Sequence, residues 1–485
     1  MSTNNKYLFF CFISFVYCYC LAAQKSQLYT YQDLSNFSYK NEKDSIKKKW
    51  VCPELFKVKE TQNKFKEIWA SRTEFFINSI ESNNFIKDDD VYDYINHIIF
   101  DIVKDNPLYI KQMPLLVIDR SGVVNAYSIG NNTIIVNAGL ITFSQSREEI
   151  ALALAHELAH DILNHTENAM KERALLLTSE EYKKSLNTIL ETKYERLSRL
   201  KKVIEGYSFN RNRHNRYHEG EADSMAIVLL KNSNIPFNPA FFLRLDSTDY
   251  QYKKELSNPV KNYFKPYDII MEDQWFEKRS KGLSSKNYNF KDTTTNNDSL
   301  KTHPDCLERY NNTKSYQTTN AQLTPIPEYI SEKMNKVLIW NLFNDLQLTA
   351  CLYRIFQQKD KGNKDSWYDF MIHNVLNGIY YSNLQLNRFN AIGIKPKEYI
   401  SKSYAELQTM LEKIPSENLE VISKQMTDLD FWSNMPTDSK DLKAFISMLN
   451  FEKGLSAKKT TAIAKEFINN NPTSMLCEFV DHFIK

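Results

Sequence analysis

Glycine and proline are scarce in this sequence, with 10 and 14 among 485 residues. So few turn-makers exclude a many-stranded barrel or sandwich, and collagen-like or low-complexity architectures with them. Charge of neither sign is in excess: 62 Lys and Arg stand against 59 Asp and Glu, a net charge of +3. A dedicated nucleic-acid binder would carry a basic surplus, so no nucleic-acid partner is expected. Cysteine is sparse too. Cys11, Cys18 and Cys20 lie within the first 23 residues, which leaves Cys52, Cys306, Cys351 and Cys477. Four such residues do not make a disulfide scaffold, although an oxidising compartment would allow two bridges in three connectivities. Beyond residue 23 no apolar run is long enough to cross a bilayer, so membrane association is expected to be peripheral at most.

Apolar residues make up 42% of the chain and aromatics 13%, ample for the cores of two or three domains. Residues 1–23 stand apart: Lys6 precedes an almost unbroken apolar run from Tyr7 to Leu21, followed by Ala22 and Ala23. This is the pattern of a signal peptide, with an uncleaved N-terminal anchor as the alternative, and it implies a periplasmic or secreted protein. Residues 24–52 are polar and are expected to be a linker. From Pro53 to about Lys104 the apolar residues Phe65, Ile68, Trp69, Phe75, Phe76 and Ile80 recur at helical spacing, which predicts two helices. The β-prone stretches Pro114–Asp119, Val123–Tyr127 and Thr133–Val136, separated by Gly-containing turns, predict a small antiparallel meander. Ser146 and Glu149 then have the spacing of a capping box, opening a helix to about His165 that is apolar nearly all round and must be buried. A further helix is expected from about Asn215 to Lys231. From Pro327 onward the pattern is helical throughout, with breaks near Gly362, Gly393, Pro415 and Pro436. The fold class is therefore α+β, residues 53–324, followed by an all-α, helical-repeat-like region, residues 325–485. No clean 34-residue period runs through that tail.

Chemistry concentrates in the buried helix, at His156-Glu157-Leu158-Ala159-His160. Residues four apart lie about 40° apart around a helix, so both imidazoles reach one Zn²⁺. Glu157, beside the first imidazole, is placed to take a proton from water and deliver it to a leaving amine. A buried helix holding two His and a Glu without a ligand would be costly, which disfavours a chance match. His165, nine residues from His156, falls on the opposite face of an unbroken helix and is expected to be a helix-end residue favourable to the C-terminal dipole. The third ligand is sought downstream in His218-Glu219-Gly220-Glu221-Ala222-Asp223. Glu219 and Asp223 share a face, so one binds metal while the other accepts the N–H of a ligating imidazole. Glu221 is expected to point elsewhere.

With these motifs in hand the chain resembles metallopeptidase family forty-eight. The resemblance rests on His156 to His160, on Glu219 to Asp223 and on Thr302-His303-Pro304-Asp305-Cys306-Leu307-Glu308-Arg309, in that order along residues 65–312. It implies a gluzincin-like zinc-peptidase domain holding one Zn²⁺ per chain. His156, His160 and Glu219 would be the ligands, Glu157 the catalytic base and Asp223 the residue supporting a ligand. His303 is expected to approach the metal, either as a fourth, regulatory ligand or as a donor to the developing oxyanion. Arg309 is a further candidate for contact with substrate or oxyanion. A signal segment with a helical tail is closest to the periplasmic branch of that family, whose tail is a tetratricopeptide array, although the Trp-x-x-Leu-Gly-x-x-Tyr signature is missing here.

The leading expectation is an endopeptidase acting on misfolded or misassembled envelope proteins, with peptide adding a strand along Thr133–Val136 and assembly partners bound by the C-terminal helices. The rival is an assembly factor or chaperone with a latched or structural zinc domain. Glu157 favours the enzyme, because a structural site needs no base.

Overall fold

The computed structural model describes residues 39–82, 84–86, 88–191, 195, 217–245, 251–276 and 306–484. The signal-like segment and His303 lie outside the described residues.

The chain opens with helices α1 (Tyr39–Lys49) and α2 (Lys59–Glu81), strand β1 (Phe85–Ile86) and helix α3 (Asp89–Lys104). The stretch expected to be a linker is thus partly a packed helix. Ile46 of α1 and the adjoining Trp50 are buried, Trp50 stacks on Phe76 at 5.1 Å, and Trp69 Nε1 donates to the Trp50 carbonyl at 2.9 Å. A polar composition concealed these two apolar anchors. The two helices expected between residues 53 and 104 are α2 and α3, and Asp88 caps α3 by accepting from the Val91 N–H.

Strands β2 (Leu115–Asp119), β3 (Ala126–Ser128) and β4 (Thr133–Asn137) join β1 in a sheet of order β1-β2-β4-β3. β2 and β4 are parallel, with Leu115 opposite Thr133 and Asp119 opposite Asn137, while the β3–β4 and β1–β2 pairs are antiparallel. The sheet is therefore mixed, a correction to the antiparallel meander. Its physical reason lies in burial. All five residues of β4 are buried, as befits a central strand, whereas β3 is short and only partly buried and takes the edge. Gly130, Asn131 and Asn132, all with positive φ, make the reversal between β3 and β4. Gly139 is needed for a different reason: a Cβ there would stand 2.4 Å from the carbonyl oxygens of Gly122 and Val123.

Next come α4 (Ala138–Phe143), α5 (Arg147–Ile162), α6 (His165–Thr178), α7 (Glu180–Glu191), α8 (217–232), α9 (Ala240–Leu245) and α10 (Cys306–Thr313). The tail holds α11 (Glu328–Asn344), α12 (Leu348–Asp360), α13 (Ser366–Leu384), α14 (Arg388–Ile392), α15 (Lys402–Lys413), α16 (Ser416–Thr427), α17 (Thr437–Phe451), α18 (Ala457–Asn470) and α19 (Cys477–Asp481). Pro327, Pro415 and Pro436 each stand immediately before a helix.

One continuous apolar core joins Ile99, Leu116, Ile150 and Leu154 to Trp340, Phe343, Tyr353, Leu376 and Phe445. Polar bonds cross the same boundary. Arg120, just after β2, pairs with both Glu478 oxygens at 2.8 and 2.9 Å and exchanges hydrogen bonds with Asn341. The tail helices therefore pack directly against the sheet-bearing part of the chain. Among the described residues no disulfide joins Cys52, Cys306, Cys351 or Cys477. Among the described residues no helix is long and apolar enough to cross a membrane.

Candidate metal centre

Helix α5 enters the core because its Ala, Leu and Ile residues leave no polar face until the histidines. Ser146 caps it, its hydroxyl accepting from the Glu149 N–H at 3.3 Å. The reciprocal bond of a capping box is displaced by one residue, since the Glu149 carboxylate accepts from the Gln145 N–H at 2.6 Å.

Near its C-terminal end α5 faces α8, and three side chains converge. His156 Nε2 lies 3.0 Å from His160 Nε2 and 3.2 Å from Glu219 Oε2, and His160 Nε2 lies 3.5 Å from Glu219 Oε1. Tetrahedral Zn²⁺ with ligand distances of about 2.0–2.2 Å places its ligand atoms roughly 3.3–3.6 Å apart. The three side chains stand within a few tenths of an ångström of that spacing, so they could hold a metal ion. Electrostatics point the same way: burial and the nearby Arg309 guanidinium push the His156 pKa down, yet Asp223 and Glu219 outweigh them and raise it to about 9. The centre thus favours positive charge between its carboxylates, which a metal cation would supply.

Asp223, one turn after Glu219, accepts from His156 Nδ1 at 2.9 Å, leaving Nε2 for the metal. Arg309 of α10 grips it with Nε at 2.9 Å and Nη2 at 2.6 Å. Burial works against the Asp223 carboxylate, but Arg309 and His156 hold its pKa at about 2. The Arg309 guanidinium also lies 4.2 Å over the Phe242 ring. Arg309 is therefore buried and paired with Asp223, at the wall of the same cleft that His156 and Glu157 line.

Glu157 is buried and accepts from the Ser128 N–H at 2.8 Å. Asn125 O and Ile129 N bond to β4, so the alternation of an antiparallel pair turns the Ala126 and Ser128 groups outward. The exposed edge of the sheet is thus β3, and the expected docking strand Thr133–Val136 is interior, paired on both sides. A cleft of about 1260 Å³ runs past this edge, lined by Ala126, His156 and Glu157 and, from the tail, by Leu338, Arg354 and Tyr399.

His165 departs from expectation. Asn164 adopts the left-handed conformation, φ 55° and ψ 30°, so α5 ends at Ile162 and His165 opens α6. The ring returns to His160, Nδ1 to Nδ1 at 2.9 Å, and stacks on His218 with centroids 4.4 Å apart. Glu221 stands outside the His156, His160 and Glu219 set, with its Oε2 3.4 Å from His165 Nε2. The Asn before His165 was the available signal, because Asn tolerates the left-handed region that ends helices.

The geometry thus joins a buried HExxH helix, a carboxylate from α8 that could complete a metal set, and a mixed sheet with one edge beside the glutamate. Residues 93–317 match peptidase family M48, and over that span the chain carries a domain of this family. A protein of Vibrio cholerae serotype O1 (strain ATCC 39315 / El Tor Inaba N16961), named "Putative beta-barrel assembly-enhancing protease", is 25% identical over 159 residues. That alignment covers 32% of this chain and 33% of that protein, so the chain spans about a third of the length of the curated relative it matches.

Proposed function

We propose that this protein is a zinc-dependent endopeptidase that hydrolyses misfolded or misassembled extracytoplasmic proteins. The observation that carries the reading is the convergence of His156, His160 and Glu219 beside Glu157 at the wall of a long cleft. Zn²⁺ held by the three ligands would polarise the scissile carbonyl and acidify the attacking water.

The chain's own residues do the rest. An extended peptide docks along β3, antiparallel addition engaging the outward groups of Ala126. Glu157, at the end of that edge, takes the proton from water and passes it to the departing amine, while its bond to Ser128 N–H holds the carboxylate in position. Asp223 keeps the His156 hydrogen on Nδ1, and Arg309 keeps Asp223 charged and fixed. The tail helices lining the cleft exclude water and contact the client away from the scissile bond.

The extracytoplasmic setting is supported by the signal-like first 23 residues and by the printed name of the Vibrio relative. Metal analysis of the purified chain, with cleavage of an unfolded protein such as reduced casein, tests the activity. One Zn²⁺ per chain and cleavage abolished by chelator and by Glu157→Gln are expected. A metal-loaded chain that cleaves no unfolded protein would leave the client-binding role of an assembly factor as the better account.

A further inference from the structure

We propose that His165 and Glu221 form a hydrogen-bonded relay behind His160 that fixes its tautomer and strengthens it as a metal ligand. The proposal rests on the reading of His160 as a ligand and makes both residues positioning residues.

The relay follows from counting hydrogens. When His160 turns Nε2 to the metal, the neutral ring carries its hydrogen on Nδ1. That nitrogen faces His165 Nδ1 at 2.9 Å, and one hydrogen serves each such contact, so His160 donates and His165 accepts. The neutral His165 ring then holds its hydrogen on Nε2, directed at the Glu221 carboxylate 3.4 Å away. Every polarity in the chain is determined, and it ends on an anion. A donor–acceptor series of this kind draws electron density toward the ligating nitrogen and holds the ring plane.

The surroundings suit that task. His165 is 7% exposed, and His218 stacks parallel to it with an interplanar angle of 16°. The left-handed Asn164 supplies the backbone reversal that returns His165 to the centre.

His165, His218 and Glu221 also stand close enough to hold an ion of their own. The hydrogen count argues against it. A cation on His165 Nε2, with Nδ1 still accepting from His160, would require an imidazolate that has lost both hydrogens, a form far outside the ordinary range of histidine.

The test measures Zn²⁺ affinity of the full chain by competition with a chromophoric chelator, and the visible spectrum of the Co²⁺-substituted protein. His165→Leu should weaken Zn²⁺ binding by about 10- to 100-fold, as for other partners behind a ligand, and shift the Co²⁺ bands. His165→Asn, whose side-chain oxygen stands near the place of Nδ1 and accepts from His160, should restore most of the affinity and the spectrum. Glu221 is 38% exposed, so Glu221→Gln leaves packing intact and carries the test should His165→Leu not fold. A smaller loss, roughly 3- to 10-fold, is expected there because the acceptor stays but its charge goes.

Wild-type affinity and spectrum in His165→Leu, or wild-type affinity in Glu221→Gln, would overturn the relay. So would two Zn²⁺ per wild-type chain with the second lost on either substitution. His156→Ala separates this from failure of the underlying reading: a chain that keeps stoichiometric Zn²⁺ without His156 refutes the ligand set itself.

Discussion

Asp223 joins two jobs that one substitution would break and a second would separate. Its carboxylate is 5% exposed, receives two bonds from Arg309 and accepts from His156 Nδ1. In Asp223→Asn the buried Arg309 loses its counter-ion, and breaking one side of a buried pair costs about 3–5 kcal/mol. At roughly 1 °C per kcal/mol for a cooperative unit of about 400 residues, the metal-free protein should melt on the order of 4 °C lower. Zn²⁺ affinity should fall by about 10- to 100-fold, since the imidazole loses its orienting acceptor. The double variant Asp223→Leu with Arg309→Met removes both charges, and apolar replacement of a buried pair is often neutral or better. It should regain most of the melting temperature while its Zn²⁺ affinity stays low. Thermal melts in chelator and chelator competition read the two quantities independently. Affinity that recovers together with stability would refute the claim that Asp223 orients His156, and a single variant that melts within about 1 °C of wild type would refute the strut.

Glu157→Gln should retain Zn²⁺ and lose turnover by several orders of magnitude, because an amide does not accept the water's proton; metal content and peptide cleavage measured together check this. Truncation after Thr324 should give a fragment that is insoluble or lacks a cooperative melt, since the core around Ile99, Leu116 and Leu154 is completed by Trp340 and Phe343; a folded, active fragment would contradict it. His373 provides a pH probe in the tail. Burial drives its pKa down to about 3, below the unfolded value near 6.5. Its contribution is therefore complete above pH 6.5 and is lost as pH falls toward 3, at about 1.4 kcal/mol per unit. The destabilisation between pH 7 and pH 5 should shrink by roughly 2 kcal/mol in His373→Phe, as read by denaturant melts.

What was legible in the sequence was local. The apolar perimeter of α5, its Ser146 cap and the four-residue spacing of His156 and His160 follow from local sequence alone, and the structure places those histidines beside Glu219. Pairing of β2 with β4 was not legible, because strand order is decided by contacts between segments whose individual patterns are equally β-prone. The docking edge was misplaced for the same reason. Burial of α1 escaped notice because Ile46 and Trp50 are two anchors in a lysine-rich stretch. His165 was misjudged by extending an ideal helix through Asn164; a single left-handed residue reverses the direction in which the next side chain projects. Arg309 was assigned by motif, and only the packing of α10 against α9 shows it facing inward.

The shared core has a consequence for how such a chain diversifies. Tail helices that bury residues of the hydrolytic part and wall its cleft cannot be exchanged as a cassette, because recombination at the junction would leave Arg120 opposite an unmatched surface and expose Leu116 and Leu154. On the proposed reading, new substrate preferences arise instead by gradual substitution along the cleft-facing sides of the tail, where Leu338 and Tyr399 stand. Selection on what the protein recognises and selection on how it stays folded therefore act on the same residues, and the lineage is bound to change both together.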